Sequence, residues 1–108
     1  MKIFVINPNT SQTMTDHIRE ALEAVKRSDT ELTVTCPDRG PETIESAYDE
    51  AFAIPPTLGL VKKANDEGYD AVILACFSDP GLEAAVPRRP LAFVLLVLLA
   101  ACGGGGGG

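Results

Sequence analysis

Two short segments concentrate the side chains able to do chemistry. One is Cys76-Phe77-Ser78-Asp79-Pro80-Gly81, and the other is Asn7-Pro8-Asn9-Thr10-Ser11. Each follows an apolar run rich in β-branched residues (Ile3-Phe4-Val5-Ile6 and Ala71-Val72-Ile73-Leu74-Ala75) and precedes a helical pattern. A cysteine at such a strand-to-helix junction sits near free backbone N–H groups and the positive end of a helix dipole, which favour the thiolate. A thiolate there can act as nucleophile or base. The sole histidine, His17, reads as ordinary helix surface. A Cys–His hydrolytic pair, which needs an imidazole beside the thiol, therefore lacks support. General-base removal of a proton from a weakly acidic carbon fits better. It needs one thiolate and donors for the developing enolate oxygen, and Asn7, Asn9, Thr10, Ser11 and backbone amides of both loops supply such donors. Asp79 reads as a cap for the following helix, or as a charge near Cys76. Inert packing is the alternative role for the cysteine.

The elements that must position these groups follow from periodicity. Lys2–Ile6 predicts a strand buried on both faces. Thr10 and Ser11 are good N-caps for a helix reaching about Arg27, with Met14, Ile18, Ala21, Leu22 and Val25 on its apolar stripe. Residues 30–35 alternate, with Leu32 and Val34 inward, as a second strand. Cys36-Pro37-Asp38-Arg39-Gly40-Pro41 is a loop. Helical character is expected from Glu42 to about Phe52, broken at Ile54-Pro55-Pro56 and resumed from Thr57 to Glu67, with Gly68 as the stop. Residues 70–75 form a third strand, and Leu82–Val86 begins a last helix. The order β-α-β-α-β-α implies an α/β fold with an open parallel three-stranded sheet and right-handed crossovers, flavodoxin-like in character. With strand order 2-1-3, the loops after strands one and three are neighbours at the carboxyl edge, where such sheets bind ligands.

Composition narrows the classes. The 108 residues suit one domain at most. Residues 1–86 hold all fifteen acids against seven bases, a charge of −8, whereas residues 87–108 carry +2. Such acidity argues against a nucleic-acid partner. Three scattered cysteines (36, 76 and 102), with no CxxC or Cys/His cluster, exclude a disulfide framework and a structural zinc site. Cys36 reads as packing. The N-terminus lacks a signal-peptide core, so a cytoplasmic location is expected. The tail runs Pro87-Arg88-Arg89-Pro90, eleven residues without a polar side chain from Leu91 to Ala101, Cys102 and six glycines. That run is short of the roughly 20 residues of a spanning helix, so no membrane anchoring is expected. Residues 1–86 form the α/β unit. Residues 87–108 read as an atypical, non-native tail from a shifted frame or truncation, with a genuine hydrophobic extension as the alternative.

Four groups of residues resemble the aspartate/glutamate/hydantoin racemase family, its hydantoin and allantoin branch above all. They are Ile6-Asn7-Pro8-Asn9-Thr10-Ser11; Cys36-Pro37 with Gly40-Pro41; Ile44-Glu45-Ser46 with Tyr48-Asp49-Glu50-Ala51; and Ala75-Cys76-Phe77-Ser78-Asp79-Pro80-Gly81-Leu82. The resemblance runs in consistent order from Met1 to about Ala85. It implies the N-terminal lobe of a two-lobed, commonly homo-oligomeric racemase acting on a small-molecule substrate (a hydantoin, allantoin or an acidic amino acid) without metal or organic cofactor. In that family two cysteines, one per lobe, work on opposite faces of the stereocentre. By resemblance Cys76 is the first of them, Asn9 contacts substrate, and Thr10, Ser11, Gly40, Pro41, Phe77 and Ser78 line the pocket. The second lobe has no counterpart here, and Cys102 lacks the strand-to-helix setting of a second cysteine, so this chain alone is expected not to racemise efficiently. A related cysteine-dependent isomerase or decarboxylase and a non-enzymatic α/β binding module are the alternatives.

Overall fold

The computed structural model describes residues 1–86 together with the backbone of Phe93–Leu96. The elements run β1 (Lys2–Ile6), α1 (Gln12–Val25), β2 (Glu31–Thr35), α2 (Ala47–Asp66), β3 (Ala71–Leu74), α3 (Leu82–Ala85) and β4 (Phe93–Leu96). The expected 2-1-3 parallel arrangement is present, with Ile3 opposite both Leu32 and Ala71. A fourth parallel strand, drawn from the apolar run of the tail, extends the sheet beyond β3 and sets Ala71 opposite Phe93. The poly-glycine segment and Cys102 lie outside the described residues.

β1 is buried on both faces because its side chains alternate. Phe4 and Ile6 join Val72, Leu74 and Ala64 on the side covered by α2, with Leu60, Val61, Tyr69 and Leu82 packed around them. Val5 joins Val34, Ala75 and Ile18 on the side covered by α1, with Leu22, Leu32 and Ile73 beside them. Each fully buried side chain of this size contributes roughly 1.5–3 kcal/mol. Phe4 also meets Tyr69 edge to face at 4.9 Å. Arg19 fastens α1 to the outer strand: its guanidinium donates to the Val34 carbonyl at 2.7 Å while pairing with Asp16 at 2.6 Å.

Three local expectations are corrected. Helix α2 begins at Ala47 rather than Glu42, because Ser46 caps it. Ser46 Oγ accepts from the Asp49 amide, and the Asp49 carboxylate accepts from the Glu45 amide. The helix then continues through Pro55 and Pro56 without a break. The prolines remove only the amide donors that would serve the Ala51 and Phe52 carbonyls, and burial of Ala53, Thr57 and Ala64 on the same helix holds it together. Its end matches expectation. Gly68 takes φ +76°, the Tyr69 amide returns to the Ala64 carbonyl and the Gly68 amide to that of Asn65, the paired bonds of a Schellman motif. In α1 the apolar stripe is narrower than its spacing suggests. Ile18 is buried and Leu22 half-buried, but Met14 and Val25 are exposed, and the fully buried residue near the helix start is Thr15.

Candidate functional site

The site lies at the carboxyl edge of the sheet. The Ala75 amide donates to the Ile6 carbonyl at 2.8 Å, and the Asn7 amide to that of Thr35 at 2.8 Å. The three strands thus end level, and their loops (7–11, 36–41 and 76–81) emerge side by side.

The first loop is held from within. Asn7 is 1% exposed and Asn9 8%. Asn7 Nδ2 donates to Asn9 Oδ1 at 2.8 Å and to Thr15 Oγ1 at 3.1 Å. The Ser11 amide also donates to Asn9 Oδ1, at 2.9 Å. Ser11 caps α1, its Oγ accepting from the Met14 amide at 3.1 Å, and the Thr15 hydroxyl donates to the Ser11 carbonyl at 2.8 Å. The loop is pinned to its neighbour by the Thr10 amide, which donates to the Pro41 carbonyl at 3.0 Å. Thr10, Ser11 and Pro41 are half-buried and Gly40 is exposed. Gly40 and Pro41 line an open cleft of ≈ 380 Å³ with Tyr48, Asp49 and Phe52. The two aromatic rings of that cleft stand 5.0 Å apart.

Cys76 is half-buried, and its Sγ lies 3.7 Å from Ser78 Oγ. Phe77 and Ser78 are exposed. The Asp79 amide closes a turn onto the Cys76 carbonyl at 3.3 Å, and Asp79 adopts φ +52°. Asp79 does not cap the last helix, in contrast to the expectation. Gly81 stands at the cap position with φ +82°, and Asp79 Oδ1 is buried without a hydrogen-bond partner among the described residues. Ser78, Asp79, Gly81 and Ile54 share a second cleft of ≈ 480 Å³. Cys36 is half-buried, with its Sγ 3.9 Å from Gln12 Oε1, and His17 is exposed on α1. Among the described residues no group of three or more His, Cys, Asp or Glu side chains could hold a metal ion, and no helix is long and apolar enough to cross a membrane.

The fold therefore brings Asn9, Thr10, Ser11 and Pro41 into one hydrogen-bonded unit. Cys76, Phe77 and Ser78 form a second unit on the adjacent strand end. Among the described residues no hydrogen bond joins the two units, and the two clefts lie on their flanks, one against Gly40 and Pro41 and one against Ser78. The sequence reading missed Thr15, whose only signal is its position one helical turn after the capping serine. It also missed the aromatic wall of Tyr48 and Phe52.

Comparisons with known proteins point in one direction. The family model described as Asp/Glu/Hydantoin racemase matches residues 3–97, a span that includes β4. A hydantoin racemase of Pseudomonas sp. (strain NS671) is 49% identical over 85 residues, covering 79% of this chain and 34% of that protein. A hydantoin racemase of Rhizobium meliloti is 39% identical over 85 residues, covering 79% of this chain and 35% of its own length. Among solved structures, allantoin racemase from Klebsiella pneumoniae superposes with a TM-score of 0.79 at 41% identity, over 90% of this chain and 38% of the other. The chain spans about a third of the length of the curated relatives it matches.

Proposed function

Because the chain belongs to the Asp/Glu/hydantoin racemase family, we propose that it carries one face of a racemase site for a five-membered cyclic ureide of the hydantoin or allantoin type, with Cys76 as the acid–base group. The observation that carries this reading is the adjacency of β1 and β3, which sets Cys76 beside the donor-rich loop of Asn9, Thr10 and Ser11.

In this reading the Cys76 thiolate removes the proton from the ring's stereogenic carbon. An S–H bond forms as the C–H bond breaks, and the electron pair moves into the adjacent carbonyl to give an enolate oxygen. Amide and hydroxyl donors of the loops after β1 and β3 hold that oxygen. Return of the proton from Cys76 restores the original configuration, because donor and acceptor share one face. Inversion requires a second acid on the opposite face. The chain alone is therefore assigned proton exchange at one enantiomer rather than efficient racemisation.

The test is deuterium incorporation from heavy water into each pure enantiomer of a 5-substituted hydantoin, measured against a protein-free blank. Incorporation above the blank into one enantiomer, with retention, and its loss in Cys76→Ser are expected. Equal incorporation into both enantiomers, or incorporation that survives Cys76→Ser, overturns the reading.

A further inference from the structure

The orientation of the Asn9 amide is dictated from both ends by groups whose hydrogen-bonding sense is fixed. The carbonyl of Ser11 is an acceptor only, so the single hydroxyl proton of Thr15 points to it across 2.8 Å. Thr15 Oγ1 must then accept from Asn7 at 3.1 Å, which makes the facing Asn7 atom the amide nitrogen. The other proton of that nitrogen meets Asn9 at 2.8 Å, so the Asn9 atom there is the oxygen. The Ser11 backbone N–H, a donor only, reaches the same oxygen at 2.9 Å and fixes it independently. An amide orientation is in general inferred from its network, and here the network allows one answer. The acceptor of Asn9 is fully engaged inside the loop. Its Nδ2 faces Met14 Sδ at 3.4 Å, a weak acceptor that is easily outcompeted.

We infer that Asn9 serves the site only as a hydrogen-bond donor, selecting a ligand that presents a carbonyl or carboxylate oxygen, and that Asn7 and Thr15 are the positioning residues that enforce this polarity. The selection of a ligand oxygen rests on the reading above that this edge binds a cyclic ureide, whereas the polarity of the loop does not. Thr15, fully buried on α1, acts on the ligand through two intervening amides, and its hydroxyl bonds only to Asn7 and Ser11 among the described residues.

The experiment is side-chain amide NMR on the uniformly labelled full chain, with hydantoin as the probe. Cross-relaxation from the Asn9 NH2 protons to the Met14 methyl is expected. The same protons seen against the Asn7 NH2 and the Ser11 amide instead would place the oxygen outward and overturn the inference. Thr15→Val removes the hydroxyl at nearly constant shape. It should shift and broaden the Asn9 NH2 pair and weaken hydantoin binding several-fold, on the order of one lost hydrogen bond. Thr15→Ser should restore both signals, and its failure to do so assigns Thr15 a packing role only. Asn9→Asp keeps the inward oxygen and deletes the donor. It should raise the hydantoin Kd by about tenfold or more with the urea midpoint little changed, and unchanged affinity overturns the donor role. If hydantoin shifts no resonance of the unmodified chain while the Met14 contact is present, the substrate assignment falls and the loop polarity stands.

Discussion

The amide of Ala75 donates to the carbonyl of Ile6 across 2.8 Å, the last rung between β3 and β1. Because both strands end at this rung, Asn7 and Cys76 begin their loops as neighbours. Neither loop chooses its own position. Val5 and Ile6, both 0% exposed, hold β1 between two layers of helix, and Leu74 does the same for β3. A shift of either strand by one residue would exchange its core and opposite faces. The chemistry at this edge is therefore fixed by apolar packing below it.

Ser11 joins this edge to α1 through three of its groups: its Oγ caps Met14, its amide holds Asn9, and its carbonyl receives Asn7 and both the amide and the hydroxyl of Thr15. Only the first is lost in Ser11→Ala. That change should cost about 1 kcal/mol, in the usual range for an N-cap, while leaving the Asn9 orientation intact. Ser11→Thr should retain most of the stability. Urea unfolding of both variants measures the first expectation, and the Asn9 NH2 signals measure the second.

Gly81 and Gly59 should respond oppositely to alanine. Gly81 has φ +82°, and a Cβ there would stand 3.2 Å from Ile54 Cγ2. Gly81→Ala combines backbone strain with a tight contact against α2 and should destabilise by about 1–3 kcal/mol. It should also disturb the turn that follows Cys76, read as altered alkylation of Cys76 by peptide-resolved mass spectrometry. Gly59 lies inside α2, and apart from its own stretch of helix no atom of the described residues comes within 4 Å of an added Cβ. Gly59→Ala should stabilise by roughly 0.5–1 kcal/mol, the helix preference for alanine over glycine. Thermal or urea unfolding of the pair reads both signs.

The parts of the fold written in strong local patterns were legible in the sequence. β1 and β3 announce themselves through apolar β-branched runs and β2 through its alternation, and the Asn7–Ser11 and Cys76–Gly81 loops through the polar residues that end the two apolar runs. The path of α2 was not legible, because Pro55 and Pro56 look like a break when only local hydrogen bonds are weighed. Their two missing donors are outweighed by the burial of Ala53, Thr57 and Ala64 on the same helix, which is tertiary information. β4 was missed for a related reason. An apolar run beside arginines, prolines and glycines carries no alternation, and its strand character appears only through its pairing with β3. The internal network of Asn7, Asn9 and Thr15 was half visible. The asparagines stood out as donors, while a threonine on a helix face gives no sign that it is buried and aimed at a loop.

The ion pair within α1, whose arginine also bonds to β2, should make stability depend on pH with a definite sign. Asp16 accepts from Gln12 Nε2 at 3.0 Å and from Arg19 at 2.6 Å. These bonds, Gln12 first and Arg19 second, hold its carboxyl below the ordinary carboxylate range. A carboxyl depressed in the folded state binds protons less readily there than in the unfolded chain. Its contribution is therefore fully present above the unfolded value and is lost as pH falls through the folded one. Asp16→Asn should be less stable than the parent at neutral pH, and the gap should close as pH drops below the usual carboxylate range. Both partners are surface groups, so added salt should narrow the gap at neutral pH as well. Urea midpoints for the two proteins across a pH series measure this. A gap that stays constant down the series would mean that the charge on Asp16 contributes nothing and that the tie to β2 rests on the Arg19 bond to the Val34 carbonyl alone.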